Sequence, residues 1–315
     1  MNSELELLVA PKDIDELRRL AEAGATGFVI GNAHFALVVR GSFQAKALEA
    51  AVSLAHSLGK KIYLLVDAIF PNALLTELET YLKDIKHLPF DGIRVADLGV
   101  YLLIKQIMPE MLVHFVDAMV LTNYDTVNYW ASKGMGRVRL AHELTLDEVL
   151  EIKNRANCEI EILIHGAPLM FTSRRKLVDN YLDFQRKMGH TVTVSEDLSF
   201  LFDKERALYY PITQNEHGTH IYGGNDVCMV DDLAKLLAAR IDVLYIEGFT
   251  YETKELVKVV QLYKMAVDLA DVDPEKYSKV GLALYAEGEK LQAENRRMDR
   301  GFYYKPTIYK NQGKK

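Results

Sequence analysis

Cysteine is nearly missing: 315 residues contain only two, Cys158 and Cys228, in no CxxC or Cys/His spacing. That excludes a disulfide framework and leaves no self-sufficient zinc or iron-sulfur ligand set. Both thiols read as reduced and packed. No apolar run reaches the roughly 18 residues of a membrane helix, and "MNSELELLVAP" lacks the basic-then-apolar pattern of a secretion signal. A cytoplasmic chain with no membrane partner is expected. GxGxxG, GxSxG and HExxH are all missing, which removes the usual signatures of dinucleotide binding, serine hydrolysis and zinc proteolysis. Positive charge is in deficit, with 38 Lys and Arg against 44 Asp and Glu. The resulting net charge of -6 argues against adhesion to nucleic acid through overall charge. Basic character is local, at Arg174-Arg175-Lys176, Arg186-Lys187, and Arg296-Arg297 with Arg300.

What remains is an ordinary globular composition, 49% hydrophobic and 26% charged, with enough length for a large core. Short apolar or β-branched runs recur, each followed by helical periodicity: "LELLVAP", "GFVIG", "KKIYLLVD", "GIRVAD", "MLVHFV", "GRVRLAHE", "EIEILIHG" and "DVLYIEG". Leu17, Leu20 and Ala21 share one face of the first helix, with Gly24 as its stop, and Thr145 and Glu148 have capping-box spacing. Eight strands alternating with helices predict a (β/α)8 TIM-like barrel over residues 1–165 and 243–275. The spacing fails once, between the seventh and eighth strands. Residues 166–242 read as an inserted subdomain: a turn at His165-Gly166, a basic helix "SRRKLVDNYLDFQRKMG", and short strands in "HTVTVSEDL", "ALYYPITQ" and "GTHIYGG". Residues 276–315 read as a C-terminal helix and polar tail.

In such a barrel the C-terminal strand ends carry the chemistry. Here they present Pro11, Gly31, Asn32, Asp67, Asp97, Asp117, His142, Glu143, His165, Glu247 and Gly248. Acids and histidines at one rim suit metal binding, acid-base work or a polar substrate. Each also has a plainer reading. Asp67, Asp97 and Asp117 suit helix caps, Glu143 a surface ion pair, and His165 a satisfied core position. Clustering carries more weight than any member, because burying unpaired carboxylates is costly. If a nucleic acid binds, Arg174, Arg175, Lys176 and Arg186, placed on the inserted helix, are the best contacts; a solvated helix face is the alternative.

The order of these residues resembles the peptidase U32 family over nearly the whole chain. "ELLVAPKDIDELRRLAEAGATGFVIG", "VADLGV", "RVRLAHELTLDE", "EILIHGA", "EHGTHIYGGNDVCMVDDL", "LYIEGF" and "DRGF" follow in family order. The resemblance implies a TIM-like barrel and RNA- or quinone-hydroxylating relatives alongside the proteases that named the family. It is nearest to the short, cysteine-poor paralogue of the bacterial tRNA 5-hydroxyuridine proteins. Several members hold an iron-sulfur cluster through four cysteines, but two of those positions fall here at Leu169 and Lys176. The third, expected within "QRKMGHTVTVS", is missing, and only Cys228 matches. One thiolate cannot hold a cluster. The family's Arg before the sixth-strand Glu is His142, and its Arg after the eighth-strand Glu-Gly is Phe249.

The resemblance leaves His165, Glu143 and Glu247 as catalytic candidates and Asp97, Asn123 and His217 as substrate-binding ones, to which the basic charge adds Arg174 and Arg175. It implies a cluster-free subunit of tRNA wobble-uridine hydroxylation, with tRNA as substrate and any iron-sulfur cluster in a paralogous partner; self-association is the other partnership. The readings of other classes are a metal-assisted peptidase and a non-catalytic scaffold.

Overall fold

The computed structural model describes residues 5–116, 121–190, 199–292 and 296–305. Asp117 and most of "HTVTVSEDL" lie outside them. Eight strands are parallel and close on themselves: β1 (Glu6–Val9), β2 (Gly27–Gly31), β3 (Lys61–Val66), β4 (Gly92–Val95), β5 (Val113–Phe115), β6 (Met135–Arg139), β7 (Glu159–Gly166) and β13 (Val243–Ile246). The closure is made by β13, which pairs with β1 through Val243 opposite Glu6 and with β7 through Val243 opposite Glu161. Most residues of these strands are buried, as a barrel packed by helices outside and side chains inside requires.

Between the strands run α1 (Ile14–Glu22), α2 (Ala45–Ser57), α3 (Asn72–Ile85), α4 (Leu98–Ile107), α5 (Tyr124–Ser132) and α6 (Leu146–Arg155). Their starts follow local chemistry. Asp13 accepts a hydrogen bond from Glu16 N–H, and Thr145 with Glu148 forms the full capping box. Leu17 and Leu20 are fully buried under α1.

The segment after β7 departs from the sequence reading. The chain does not pass from the His165-Gly166 turn straight into a helix. It first forms β8 (Leu169–Ser173), and α7 spans only Leu177–Lys187. Arg174 and Arg175 therefore lie in the turn before the helix, and Lys176 is its N-cap residue. With β9 (Ser199–Asp203), β10 (Leu208–Asn215) and β11 (Gly218–Tyr222), β8 makes an antiparallel sheet in the order β8-β11-β10-β9. The β8 strand was hidden because "LMFTS" is short and its pairing with β11 is non-local.

The rest of the expected insertion returns to the barrel. In β12 (Asn225–Cys228), Val227 and Cys228 pair antiparallel with Gly166 and His165 of β7. A short helix α8 (Leu233–Ala238) follows β12, then α9 (Thr253–Val272) and α10 (Pro274–Glu289) follow β13. The expected polar tail is docked as well: β14 (Arg297–Asp299) runs parallel to β12. Beyond it, the Tyr303 hydroxyl donates to Leu163 O at 2.6 Å. Arg296 is buried against Asp226, with Nε 3.0 Å from Oδ1. Charged residues pulled this segment out of the sequence-based core, yet their ion pairs fix it to the fold.

Candidate active site at the barrel mouth

Alternation inside the strands builds the site from below. Glu6, Tyr63, His114 and Arg137 form a buried lower layer. Arg137 donates to both Glu6 carboxylate oxygens at 3.0 Å, and the Tyr63 hydroxyl donates to Glu6 at 2.7 Å. Above them Arg94 of β4 donates two parallel bonds to Glu161 of β7, both 2.6 Å, with each residue almost wholly buried. Burial alone would raise the Glu161 carboxyl; the Arg94 guanidinium prevails and holds it below its ordinary value. The lumen is thus closed by paired charges rather than by aliphatic layers. The signal was present in the sequence as polar residues at every second position of apolar strands, in "GIRV", "VHF", "MGRVR" and "EIEI".

On this floor opens a cavity of about 470 Å³ at the C-terminal ends of the strands. Its walls include Asp67 after β3, Arg94, Asp97, Arg139 at the end of β6, His142, Tyr245 and Glu247. Its roof is Leu169, Phe171 and Thr172 of β8, with Tyr222 of β11 stacked on Phe249 at 4.6 Å and 9°. The loop 37–41 forms one side. Arg40 holds that loop by donating to Tyr251 O at 2.9 Å and pairing with Glu16 at 2.8 Å. Gly166 has φ +95, and a Cβ there would collide with the carbonyl oxygen of Glu247, so only glycine lets β7 and the β13 end meet at this wall.

Electrostatics distinguish the lining groups. The Arg139 guanidinium lies over the Tyr245 ring at 4.3 Å and 3.8 Å from Glu161, and its side chain is partly open to the cavity. Burial raises the Asp67 carboxyl, opposed by the Leu37 N–H that it accepts at 2.8 Å and by Arg94 and Arg139. Burial likewise raises Glu247, opposed by Arg139, the Phe249 N–H and the Tyr245 hydroxyl, which donate to it at 3.0 and 3.1 Å. Burial, then Arg139, push His142 down to about 4. Two carboxyls tuned upward beside arginine cations and one neutral imidazole can bind a polar planar group and exchange a proton with it.

The sequence-selected residues divide. Glu247 and Asp97 line the cavity, although Asp97 is also the cap of α4, accepting from Val100 N–H at 3.1 Å. Asn123 caps α5, accepting from Thr126 N–H at 2.8 Å, and Glu143 is exposed; neither lines the cavity. His165 is buried outside it, its ring nitrogens 3.2 Å from the Tyr263 hydroxyl and 2.9 Å from that of Tyr251, and burial lowers it to about 4. That is a satisfied core histidine. His217 sits at the tip of the β10–β11 hairpin, 2.7 Å from Ala33 O. Arg174 and Arg175 are exposed. Arg94, Arg139, Tyr222 and Tyr245 are site residues that the rim reading missed, because it looked only at the polar ends of the strands.

An iron-sulfur cluster does not fit these residues. Cys228 is fully buried beside Tyr263, whose hydroxyl is 3.7 Å from Sγ, and burial lifts the thiol to about 11. Leu169 lines the cavity, while Lys176 is exposed. Among the described residues no group of three or more His, Cys, Asp and Glu has a metal-binding arrangement. No described helix is long and apolar enough to cross a membrane.

Comparison with known proteins agrees with this architecture. The model of peptidase family U32 matches residues 12–312. The chain is 38% identical over 305 residues to tRNA hydroxylation protein P2 of Bacillus subtilis, covering 96% of this chain and 99% of that one. It is 26% identical to tRNA hydroxylation protein P of Escherichia coli, covering 84% of this chain and 68% of the other. To protein P1 of the same Bacillus it is also 26% identical, over 86% of this chain and 65% of the longer relative, so two such paralogues occur in one organism. Among solved structures, a dihydrodipicolinate synthase superposes with a TM-score of 0.50 at 11% identity, over 90% of this chain and 82% of that one, a likeness of fold alone. A structure described as a U32 peptidase gives 0.48 at 15% identity, over 78% and 94%. With the family model spanning almost the whole chain, a relative alike from end to end, and a closed barrel carrying the family's motifs in order, the chain belongs to the peptidase U32 family.

Proposed function

We propose that this chain acts in hydroxylation of the wobble uridine of tRNA, and that it does so without a cluster of its own. The observation that carries the reading is the end-to-end similarity to tRNA hydroxylation protein P2. The site supports it. A cavity of about 470 Å³ falls within the range of small-molecule sites and has room for one nucleobase taken out of its stack. The Tyr222–Phe249 pair offers an aromatic wall, Arg139 offers donors to ring carbonyls, and Asp67 and Glu247 offer carboxyls able to hold or move a proton. In this reading the chain binds and orients the base, and any cluster-dependent step belongs to a paralogous subunit. A peptidase built on Glu143 is less favoured, because that residue is exposed and does not line the cavity.

Deleting the gene and measuring 5-hydroxyuridine-derived nucleosides at the tRNA wobble position by mass spectrometry tests the reading. Loss of modification, restored by the intact chain, is expected. Unchanged modification removes the reading.

A further inference from the structure

The sheet over the mouth carries a row of aromatic side chains open to solvent. Phe202 of β9 lies directly opposite Tyr209 of β10, with ring centroids 4.6 Å apart, and Phe200 meets Tyr209 edge-on at 6.3 Å. Phe200, Phe202 and Tyr209 are 44%, 50% and 40% exposed, far more than rings in a self-contained sheet need to be. Alternation places this row on one particular face. Tyr209 shares its side with Thr213, Thr213 is opposite His220, and His220 is opposite Thr172. Thr172 and Tyr222 line the barrel cavity. The aromatic row therefore shares its side of the sheet with Thr172 of the cavity roof.

The opposite end of the same sheet is cationic. Arg174, Arg175 and Lys176, in the turn after β8, are exposed and form no ion pair with another described residue. This turn packs against Gly218, which pairs with Asn215 at the far end of β10. From Tyr209 to Asn215 is about 20 Å of strand, the reach of a few nucleotides.

We propose that this face is a docking platform for a single-stranded RNA loop. Bases stack on Phe200, Phe202 and Tyr209, phosphates meet Arg174, Arg175 and Lys176, and one base between them enters the cavity. Unpaired cations at one end of the sheet and open rings at the other match the two chemical faces of a nucleic acid strand, and stacking tolerates any base. A protein occupant would leave the three cations needing acidic partners. The proposal rests on the role in tRNA hydroxylation proposed above.

The test uses the full chain and a fluorescent anticodon stem-loop RNA, followed by anisotropy, with a fully paired hairpin of equal charge as control. The Phe202→Ala/Tyr209→Ala variant is expected to bind the stem-loop about tenfold or more weakly, with its melting temperature unchanged. Phe202→Trp, which keeps a stacking surface, is expected to bind as the natural chain does. Arg174→Ala/Arg175→Ala is expected to flatten the salt dependence of binding. If the aromatic variant binds RNA normally while gene deletion still abolishes wobble modification, the platform is wrong and the function stands. If the intact chain binds no stem-loop and deletion leaves modification unchanged, both fail. A dimer in sedimentation that dissociates in the aromatic variant, with RNA binding intact, reassigns the face to a second copy and overturns the proposal.

Discussion

His34, in the loop after β2, is hydrogen-bonded to Glu216 at the tip of the β10–β11 hairpin, Nδ1 to Oε2 2.9 Å, and so clasps the inserted sheet to the barrel. Its other nitrogen meets Glu77 of α3 at 2.8 Å. Two further bonds join the same parts: His217 to Ala33 O at 2.7 Å, and Asn215 Nδ2 donating to Leu37 O at 2.8 Å. Leu37 N–H is in turn bound by Asp67 in the cavity. Hydrogen bonds to Glu77 and then Glu216 raise the His34 imidazole above its ordinary 6.5. A raised histidine stabilises the closed form fully below 6.5, and that contribution is lost as pH rises through the higher value. Hydrogen exchange at residues 215–218, corrected for its intrinsic pH dependence, is expected to speed up over that interval. His34→Ala is expected to exchange fast throughout, and a pH-independent difference between the two proteins would refute the clasp.

Arg94 and Glu161 form a buried, doubly hydrogen-bonded pair, so removing one partner strands the other charge. Arg94→Met or Glu161→Leu alone is expected to destabilise by about 3–5 kcal/mol in urea titration. The double substitution is expected to recover most of that loss, since apolar groups carry no uncompensated charge. Equal losses in single and double variants would show that packing, rather than charge pairing, sets the cost.

Glu247→Gln separates chemistry from stability. Because burial raises the folded carboxyl, the folded state binds the proton more tightly, and stability falls as pH rises from the ordinary 4.5 to the raised value. The amide is expected to flatten that slope in thermal melts. If Glu247 moves a proton in the reaction, tRNA modification is expected to drop about a hundredfold in the same variant. Full modification by the amide would leave Glu247 as a wall residue only.

Cys228 is predicted to be a packing residue. Protein purified without oxygen is expected to lack the broad visible absorbance of an iron-sulfur cluster, and Cys228→Ala is expected to keep wobble-uridine modification. Brown protein, or a dead alanine variant that still melts cooperatively, would contradict this. By contrast Tyr263→Phe, which takes the partner from Met229 N–H at 3.1 Å and from Ile164 O at 2.8 Å, is expected to lower stability by about 1–3 kcal/mol.

The sequence by itself determined the barrel. Eight apolar runs alternating with amphipathic helices favour a closed barrel over an open doubly wound sheet, which more often has about five or six strands, and the capping box at Thr145 follows from residues within one turn. It also determined that a four-thiolate centre is out of reach, because two cysteines are a count and not a conformation. Glu247 was legible as the polar end of an apolar run. Which polar residues share the cavity was decided only by tertiary structure. His165 and Glu247 end adjacent strands, yet the shift in β7–β13 pairing after Tyr245 and the turn at Gly166 bury His165 among tyrosines, while Glu247 faces the lumen. The strand β8, the docked tail and the clasp at His34 were equally invisible. Each depends on partners distant in sequence, and local propensity carries no information about which distant segment will complete a ladder or an ion pair.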